Sequence, residues 1–337
     1  MPARPSVRQL AVLGVALGAT LLALGSAPIA SARDAGPPRP VRRVHAVGVR
    51  VATLVDPSRP TPEIPAVGLS AAAARTLPVT VWYPARGPSG GSPIANAPPI
   101  ERRRLPFIVW AHGNGSRGAL APALVRSWAS LGYVVAAPDF PASSRARSTL
   151  AALDDWGAQP GDVAFVIDTM LSGRGIAGLG RLVDERHIGI AGHSLGAITA
   201  LAVAYGEHAD RRVDAVTTFA GVALLDGTDR RAAALPMLLV HGSDDVTIPA
   251  ANSRAVFDRA TGRRFLVTVV GGGHSALLYA PDPETSESLA TATAAFWAAT
   301  LDRGPDPGRA IAALETPGRF EVASAGAPLV DSAGSRR

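Results

Sequence analysis

The stretch His187-Ile-Gly-Ile-Ala-Gly-His-Ser-Leu-Gly-Ala-Ile-Thr-Ala-Leu201 constrains this chain more than any other. A short β-type run, His187 to Ala191, meets a helix-forming run, Ser194 to Tyr205, across Gly192-His193-Ser194-Leu195-Gly196. A strand that turns this abruptly into a helix leaves no room for side chains beside the turn, hence the two flanking glycines. The serine is lifted clear at the helix N-terminus, where free N–H groups favour negative charge. The plain alternative is a glycine-rich turn with an idle serine.

The rest of the chain repeats the same alternation. Strands are predicted at Val44–Leu54, Leu77–Tyr83, Phe107–Ala111, Tyr133–Ala137, Val213–Phe219, Met237–Val240 and Phe265–Val270. Helical spacing marks Ala119–Ser130, Asp162–Leu171, Ala250–Ala260, Glu287–Leu301 and a short Ala310–Leu314. Residues 55–76 and 84–105 read as loops rich in Pro, Gly, Ala or Ser. Such alternation implies βαβ units: an α/β fold with a mostly parallel central sheet and helices on both faces. The first two strands have no helix between them, so an antiparallel start is expected.

A 47% apolar fraction is ample for a core in a chain of 337 residues. The net charge of +6 comes from scattered arginines without a basic stripe, which argues against a nucleic-acid partner. There is no lysine, so no Walker or Schiff-base lysine, and no cysteine, so no disulfide or thiolate chemistry. No metal or other cofactor is expected.

The N-terminus reads as a signal peptide over residues 1–32. It has Arg4 and Arg8, an apolar run from Leu10 to Leu24, and Ala30-Ser31-Ala32 before a cleavage point at Arg33. A retained anchor is the alternative, but the run is short for a span of ~20 residues. Cleavage leaves a formal charge of +4 and no stable membrane insertion. Residues 33–43 form a flexible lead-in, 44–302 the catalytic domain, and 303–337 a partly disordered tail. Residues 321–337 are expected to be poorly ordered. The expected location is secreted, periplasmic or cell envelope, and the expected state a monomer.

A serine hydroxyl needs a base, and a serine on such a turn takes its partners in chain order Ser, then Asp or Glu, then His. Asp245 follows Ser194 by 51 residues, and His274 follows 29 later, each in a loop after a strand. All three then fall at one edge of the sheet. Of seven histidines, His45 and His187 lie at the wrong place in their strands. His208 follows a helix and is read as solvated. His193 cannot fold back onto Ser194. His112 and His241 end strands in His-Gly turns and read as structural. His274 remains. Asp244 and Asp245 are adjacent, and the spacing from Gly242 favours Asp245. Two backbone donors are expected to face a developing oxyanion: Leu195 after the serine, and Asn114 in His112-Gly-Asn-Gly-Ser116.

With these residues in place, the chain resembles the α/β-hydrolase superfamily. Within it, the chain resembles bacterial platelet-activating-factor acetylhydrolase-like esterases and their cutinase-type polyester hydrolase relatives. The matching stretches include Arg75–Ala85, the His112-Gly113 turn, Gly132–Asp139, Asp162–Asp168, and the Ser194, Asp245 and His274 turns. The resemblance covers roughly residues 44–300 and implies a serine carboxylic ester hydrolase working through an acyl-enzyme. The polyester hydrolases carry an aromatic residue before the serine and a C-terminal disulfide. Here that position is His193 and cysteine is absent, which favours the acetylhydrolase-like branch.

Only 16 residues, Ala220 to Leu235, separate Phe219 from Pro236, so no large cap domain is expected at the usual place. Residues 140–160 are the candidate wall, and Trp156 either lines the acyl pocket or packs on the sheet. The expected substrate is a small-molecule or polymeric ester, with short acyl chains favoured. A lipase or polyesterase, a thioesterase or peptidase, and an inactive hydrolase-fold binding module are the competing readings.

Overall fold

The computed structural model describes residues 44–101, 104–144, 150–172, 178–206, 209–222 and 234–329. The signal peptide, the lead-in, His208 and residues 330–337 lie outside them.

Ten strands form one sheet: β1 (Ala46–Asp56), β2 (Arg75–Ala85), β3 (Ile94–Ala95), β4 (Leu105–Ala111), β5 (Val134–Pro138), β6 (Val183–His193), β7 (Val213–Phe219), β8 (Met237–Gly242), β9 (Arg264–Val269) and β10 (Phe320–Ala325). Their order is β10-β9-β8-β7-β6-β4-β5-β2-β1-β3. From β5 through β4 and β6 to β9, neighbours are parallel. The expected antiparallel start is present: β1 pairs antiparallel with β2, and β2 with β5.

The helices are α1 (Ala123–Ser130), α2 (Gln159–Leu171), α3 (Leu195–Tyr205), α4 (Ala251–Arg259), α5 (Ala276–Tyr279), α6 (Pro283–Leu301) and α7 (Gly308–Ala312). They cover both faces because the central strands alternate between two cores. Phe107, Val109 and Ala111 of β4 join Val163, Ile167 and Leu201 on one face. Ile108 and Trp110 join Trp128, Phe296 and Trp297 on the other. On that second face Trp128 packs edge-on against Trp110 and Trp297 and donates its indole N–H to Thr293 at 3.1 Å.

The tail departs from expectation. Residues 303–319 fold back through α7, and β10 pairs antiparallel with β9 from Phe320↔Val269 to Ala325↔Arg264. The domain therefore extends beyond residue 302, and residues 321–325 are ordered strand. Only Phe320 of β10 is buried, so the segment lacks the apolar alternation that marks a strand in sequence. A smaller departure is α6, which begins at Pro283 rather than Glu287. Asp282 caps it, accepting from the Glu284 and Thr285 amides at 3.1 Å. The loop 84–105 also contains β3, parallel to β1.

Nothing in the local sequence pattern announced the charged cluster behind the candidate wall. Arg75, at the start of β2, is fully buried. Its guanidinium is bidentate to Asp155 (2.8 and 2.7 Å) and to Asp162 (2.5 and 2.7 Å). Arg59 adds a contact to Asp162 at 2.9 Å and one to Asp56 at 2.7 Å. The cluster fastens the turn of 3₁₀ helix at Leu150–Ala158 and the start of α2 to the first two strands. Burying one arginine requires such saturation, since an unpaired charge inside the core costs several kcal/mol.

Candidate active site

The turn at Ser194 has the geometry that its glycines imply. Ser194 has φ 54° and ψ −121°, a left-handed conformation that a side chain adopts only under constraint. A Cβ on Gly192 would overlap the Gly196 carbonyl, and one on Gly196 would overlap the Ala111 carbonyl. The Ser194 amide is held by the Phe219 carbonyl at 3.0 Å.

Three chain segments converge on the hydroxyl. Ser194 Oγ donates to His274 Nε2 at 2.8 Å, and His274 Nδ1 donates to Asp245 Oδ2 at 2.7 Å. Asp245 rather than Asp244 therefore meets the imidazole. Asp244 is exposed, accepts from Ser243 Oγ at 2.7 Å, and donates its amide to Gly272 O at 3.0 Å. Asp245 Oδ1 accepts the Thr247 and Ile248 amides at 2.9 and 2.8 Å. Burial pushes the Asp245 carboxyl up, but these amides and His274 outweigh it and hold the group below the usual carboxylate range.

Two further histidines serve this assembly. His241, read from sequence as structural, also touches Asp245 Oδ2. Its Nε2–H donates to the Ile248 carbonyl at 2.8 Å and lies 3.1 Å from that carboxylate oxygen, while Nδ1 meets Ser253 Oγ at 2.7 Å. Burial lowers the His241 pKa. His193 does not reach Ser194 Oγ, as expected, yet it is not idle. Its Nε2–H donates to the backbone carbonyl of His274 at 2.9 Å. Its ring packs on those of His274 and Tyr279, with centroids 5.0 and 5.5 Å away. Burial lowers its pKa to about 4, so it stays a neutral N–H donor at neutral pH.

On the other side of the serine lies the loop after β4. Gly113 backs onto the turn so closely that a Cβ there would press on His193 and on Ser194 Cβ. Among the described residues, the amides of Asn114 and Leu195 have no hydrogen-bond acceptor. The Asn114 side-chain oxygen is likewise buried without a partner. His112, fully buried, braces this loop: Nδ1–H donates to Gly113 O at 2.8 Å and Nε2 accepts the Phe140 amide at 3.1 Å. Burial takes its pKa down to about 4.

A polar relay links this loop to α3. The Gly115 amide donates to Ser143 O at 2.8 Å. Gln159 donates to Ser143 Oγ at 3.1 Å and accepts from Thr199 Oγ1 at 2.6 Å. Sequence reading missed Ser143, Gln159 and Thr199, whose polar side chains are buried among apolar neighbours. Trp156 is half-buried in the 3₁₀ segment, and its indole N–H lacks a partner among the described residues. Among the described residues, no group of three or more His, Asp or Glu side chains could hold a metal ion.

A mostly parallel sheet of this order, with a hydroxyl, an imidazole and a carboxylate aligned at its carboxyl edge, defines the α/β-hydrolase fold, and the family of the chain makes it a carboxylic ester hydrolase. The chlorophyllase family model matches residues 74–252, and the chain belongs to that family. Among solved structures it is similar to a ferulic acid esterase from Streptomyces cinnamoneus, with a TM-score of 0.62 and 24% identity. That match covers 82% of this chain and 94% of the other, and it bears on the fold. A comparison with curated proteins finds no match.

Proposed function

We propose that the protein is a serine esterase that hydrolyses carboxylic esters through an acyl-enzyme on Ser194. The observation that carries this reading is the unbroken Ser194–His274–Asp245 alignment, at 2.8 and 2.7 Å, on a strained turn. Ser194 Oγ attacks the ester carbonyl carbon as its proton passes to His274 Nε2. The carbonyl oxygen becomes an oxyanion, met by the free amides of Leu195 and Asn114. As the C–O bond breaks, His274 returns the proton to the departing alcohol. Water then repeats the sequence on the acyl-enzyme and releases the acid. Asp245 keeps the imidazole in the tautomer whose Nε2 can accept, and stabilises the imidazolium.

The short connection between Phe219 and Pro236 supports short soluble esters, of about two to eight acyl carbons, as substrates. Sequence stretches shared with the acetylhydrolase-like esterases support the same branch. The Arg4, Leu10–Leu24 and Ala30-Ser31-Ala32 pattern supports export with cleavage before Arg33. The test is labelling with a fluorophosphonate, followed by peptide mapping, beside hydrolysis of p-nitrophenyl esters. Label is expected on Ser194 alone. Label elsewhere, or full activity in Ser194→Ala, overturns the reading.

A further inference from the structure

A cavity of about 480 Å³ opens at the same edge of the sheet as Ser194. It lies beyond β4, where β5 ends and β2 begins. Its polar lining comes from Thr61, Ser70, Thr76, Arg117, Asp139 and Ser144. The Asp139 amide donates to Pro78 O at 2.7 Å, so the β2 start and the β5 end form one floor.

The cavity is continuous in chain with the candidate oxyanion loop. That loop touches the nucleophile turn at Gly113 and reaches the cavity at Arg117. At the cavity it is pinned by Gly118 N–H donating to Asp139 Oδ1 at 2.7 Å. Behind the loop, Ser144 at the cavity rim follows Ser143, which holds the Gly115 amide. Two strand spacings separate β6 from β5, so the cavity begins roughly 10 Å along the edge from the turn.

The direction matters for the substrate. His274 reaches Ser194 from the loop after β9, and its Nε2 must protonate the departing oxygen. The alcohol portion of a bound ester therefore lies toward β8 and β9. The acyl substituent, on the other side of the carbonyl carbon, points across the loop after β4 toward β5 and β2.

Two features decide what that substituent must carry at its end. Arg117 makes no guanidinium hydrogen bond or ion pair among the described residues. Asp139 spends one oxygen on Gly118 and faces the cavity with the group. Arg117 is exposed and supplies a donor that can swing in beside the half-buried Asp139 acceptor, and with the hydroxyls around them the pair suits a group that both donates and accepts. The opposite charges of Arg117 and Asp139 offset each other, so an anionic end gains nothing over a neutral one, and a plain alkyl end would leave the remaining oxygen of the half-buried Asp139 desolvated and unmatched. We propose that this cavity is an acyl subsite selective for neutral acyl groups with a hydroxylated end, read by Arg117, Asp139 and Thr76. This inference rests on Ser194 being the acylated residue.

The experiment compares kcat/KM for p-nitrophenyl acetate, octanoate, ω-hydroxyoctanoate and the half-ester of octanedioic acid. Acetate is too short to leave the turn and reports the reaction alone. If the wild-type protein does not hydrolyse acetate, the serine-esterase reading fails. If it does, ω-hydroxyoctanoate is expected to exceed octanoate by about tenfold, the return on one or two well-placed hydrogen bonds. Arg117→Ala and Thr76→Val should each bring that ratio toward one. A variant that merely disturbs the loop lowers both esters together and leaves the ratio untouched. A wild-type ratio of one, a ratio unmoved by both substitutions, or a preference for the half-ester overturns the proposal.

Discussion

On the β8–β9 side of Ser194, Asp245 has four N–H neighbours and His274 has a partner at each ring nitrogen. On the β4–β5 side, two backbone amides and the Arg117 guanidinium have none among the described residues. The contrast follows from what each side handles. A proton is present throughout the reaction, so the groups that pass it must hold one geometry and one tautomer. The oxyanion exists only near the transition state, so its donors do most when nothing occupies them beforehand. The first side is completed by the protein, the second by the substrate.

Deleting the atom between the two sides should have the largest effect. Ser194→Ala should reduce kcat by roughly 10⁶ while its thermal melt stays that of the parent. Asp245→Asn leaves His274 bonded but in the wrong tautomer and should cut kcat by about 10⁴, measured with a p-nitrophenyl ester. Asp244→Asn should cost far less. A reversal of the two would mean that the bonded side is organised around the wrong carboxylate.

The unoccupied side can be tested without mutation. A boronic acid that adds to Ser194 places an oxygen where the oxyanion forms. Hydrogen exchange at the Leu195 and Asn114 amides should then slow by about tenfold or more, with Thr247 and Ile248 unchanged. Equal protection on both sides would erase the distinction.

His193 gives a finer test, because its hydrogen bond to His274 goes to the backbone carbonyl while its ring packs on the imidazole. His193→Phe keeps a ring against His274 and Tyr279 but loses the N–H, and should lower kcat about tenfold with KM little changed. His193→Gln can restore the donor and recover most of the loss. Equal loss in both variants would reduce His193 to packing.

A separate effect, on the fold rather than on the reaction, is on stability in acid. His112 and His193 titrate near 4 in the folded chain, below the usual histidine value. The unfolded chain therefore binds more protons between about pH 6.5 and 4, and stability falls as pH drops through that window. Each histidine should contribute about 3 kcal/mol of that loss. Urea melts of the wild type and His193→Phe at several pH values should differ by one histidine's share.

How much of this was visible in the chain depended on the range of the interaction. The Ser194 turn is written locally: two glycines, a strand before, a helix after. His274 and Asp245 were reachable because each follows a strand in fixed chain order. Asp244 could be set aside only by spacing, since neighbouring side chains differ in direction rather than in chemistry. The supporting polar residues left no periodic trace. Gln159, Ser143 and Thr199 meet from three segments, and a buried glutamine looks in sequence like any exposed one. Arg75 and Asp162 stand 87 positions apart. Each opens one of the stretches shared with the acetylhydrolase-like esterases, the one signal that could have paired them. His241 was read as a satisfied core histidine, which it is, but its contact with Asp245 needed the register of the β8 loop.

The pairing of β10 with β9 has a consequence for how the chain is made. β9 leaves the ribosome about fifty residues before the strand that covers it, so its outer backbone stays bare through that interval. In the newborn chain that edge offers an open template, with the apolar Phe265 and Val267 alongside. The remedy lies in cis and arrives late: α7 turns the chain back and β10 closes the row. A nonsense mutation or proteolytic nick after α6 would leave the residues at Ser194 intact yet give a protein prone to pairing with its own copies.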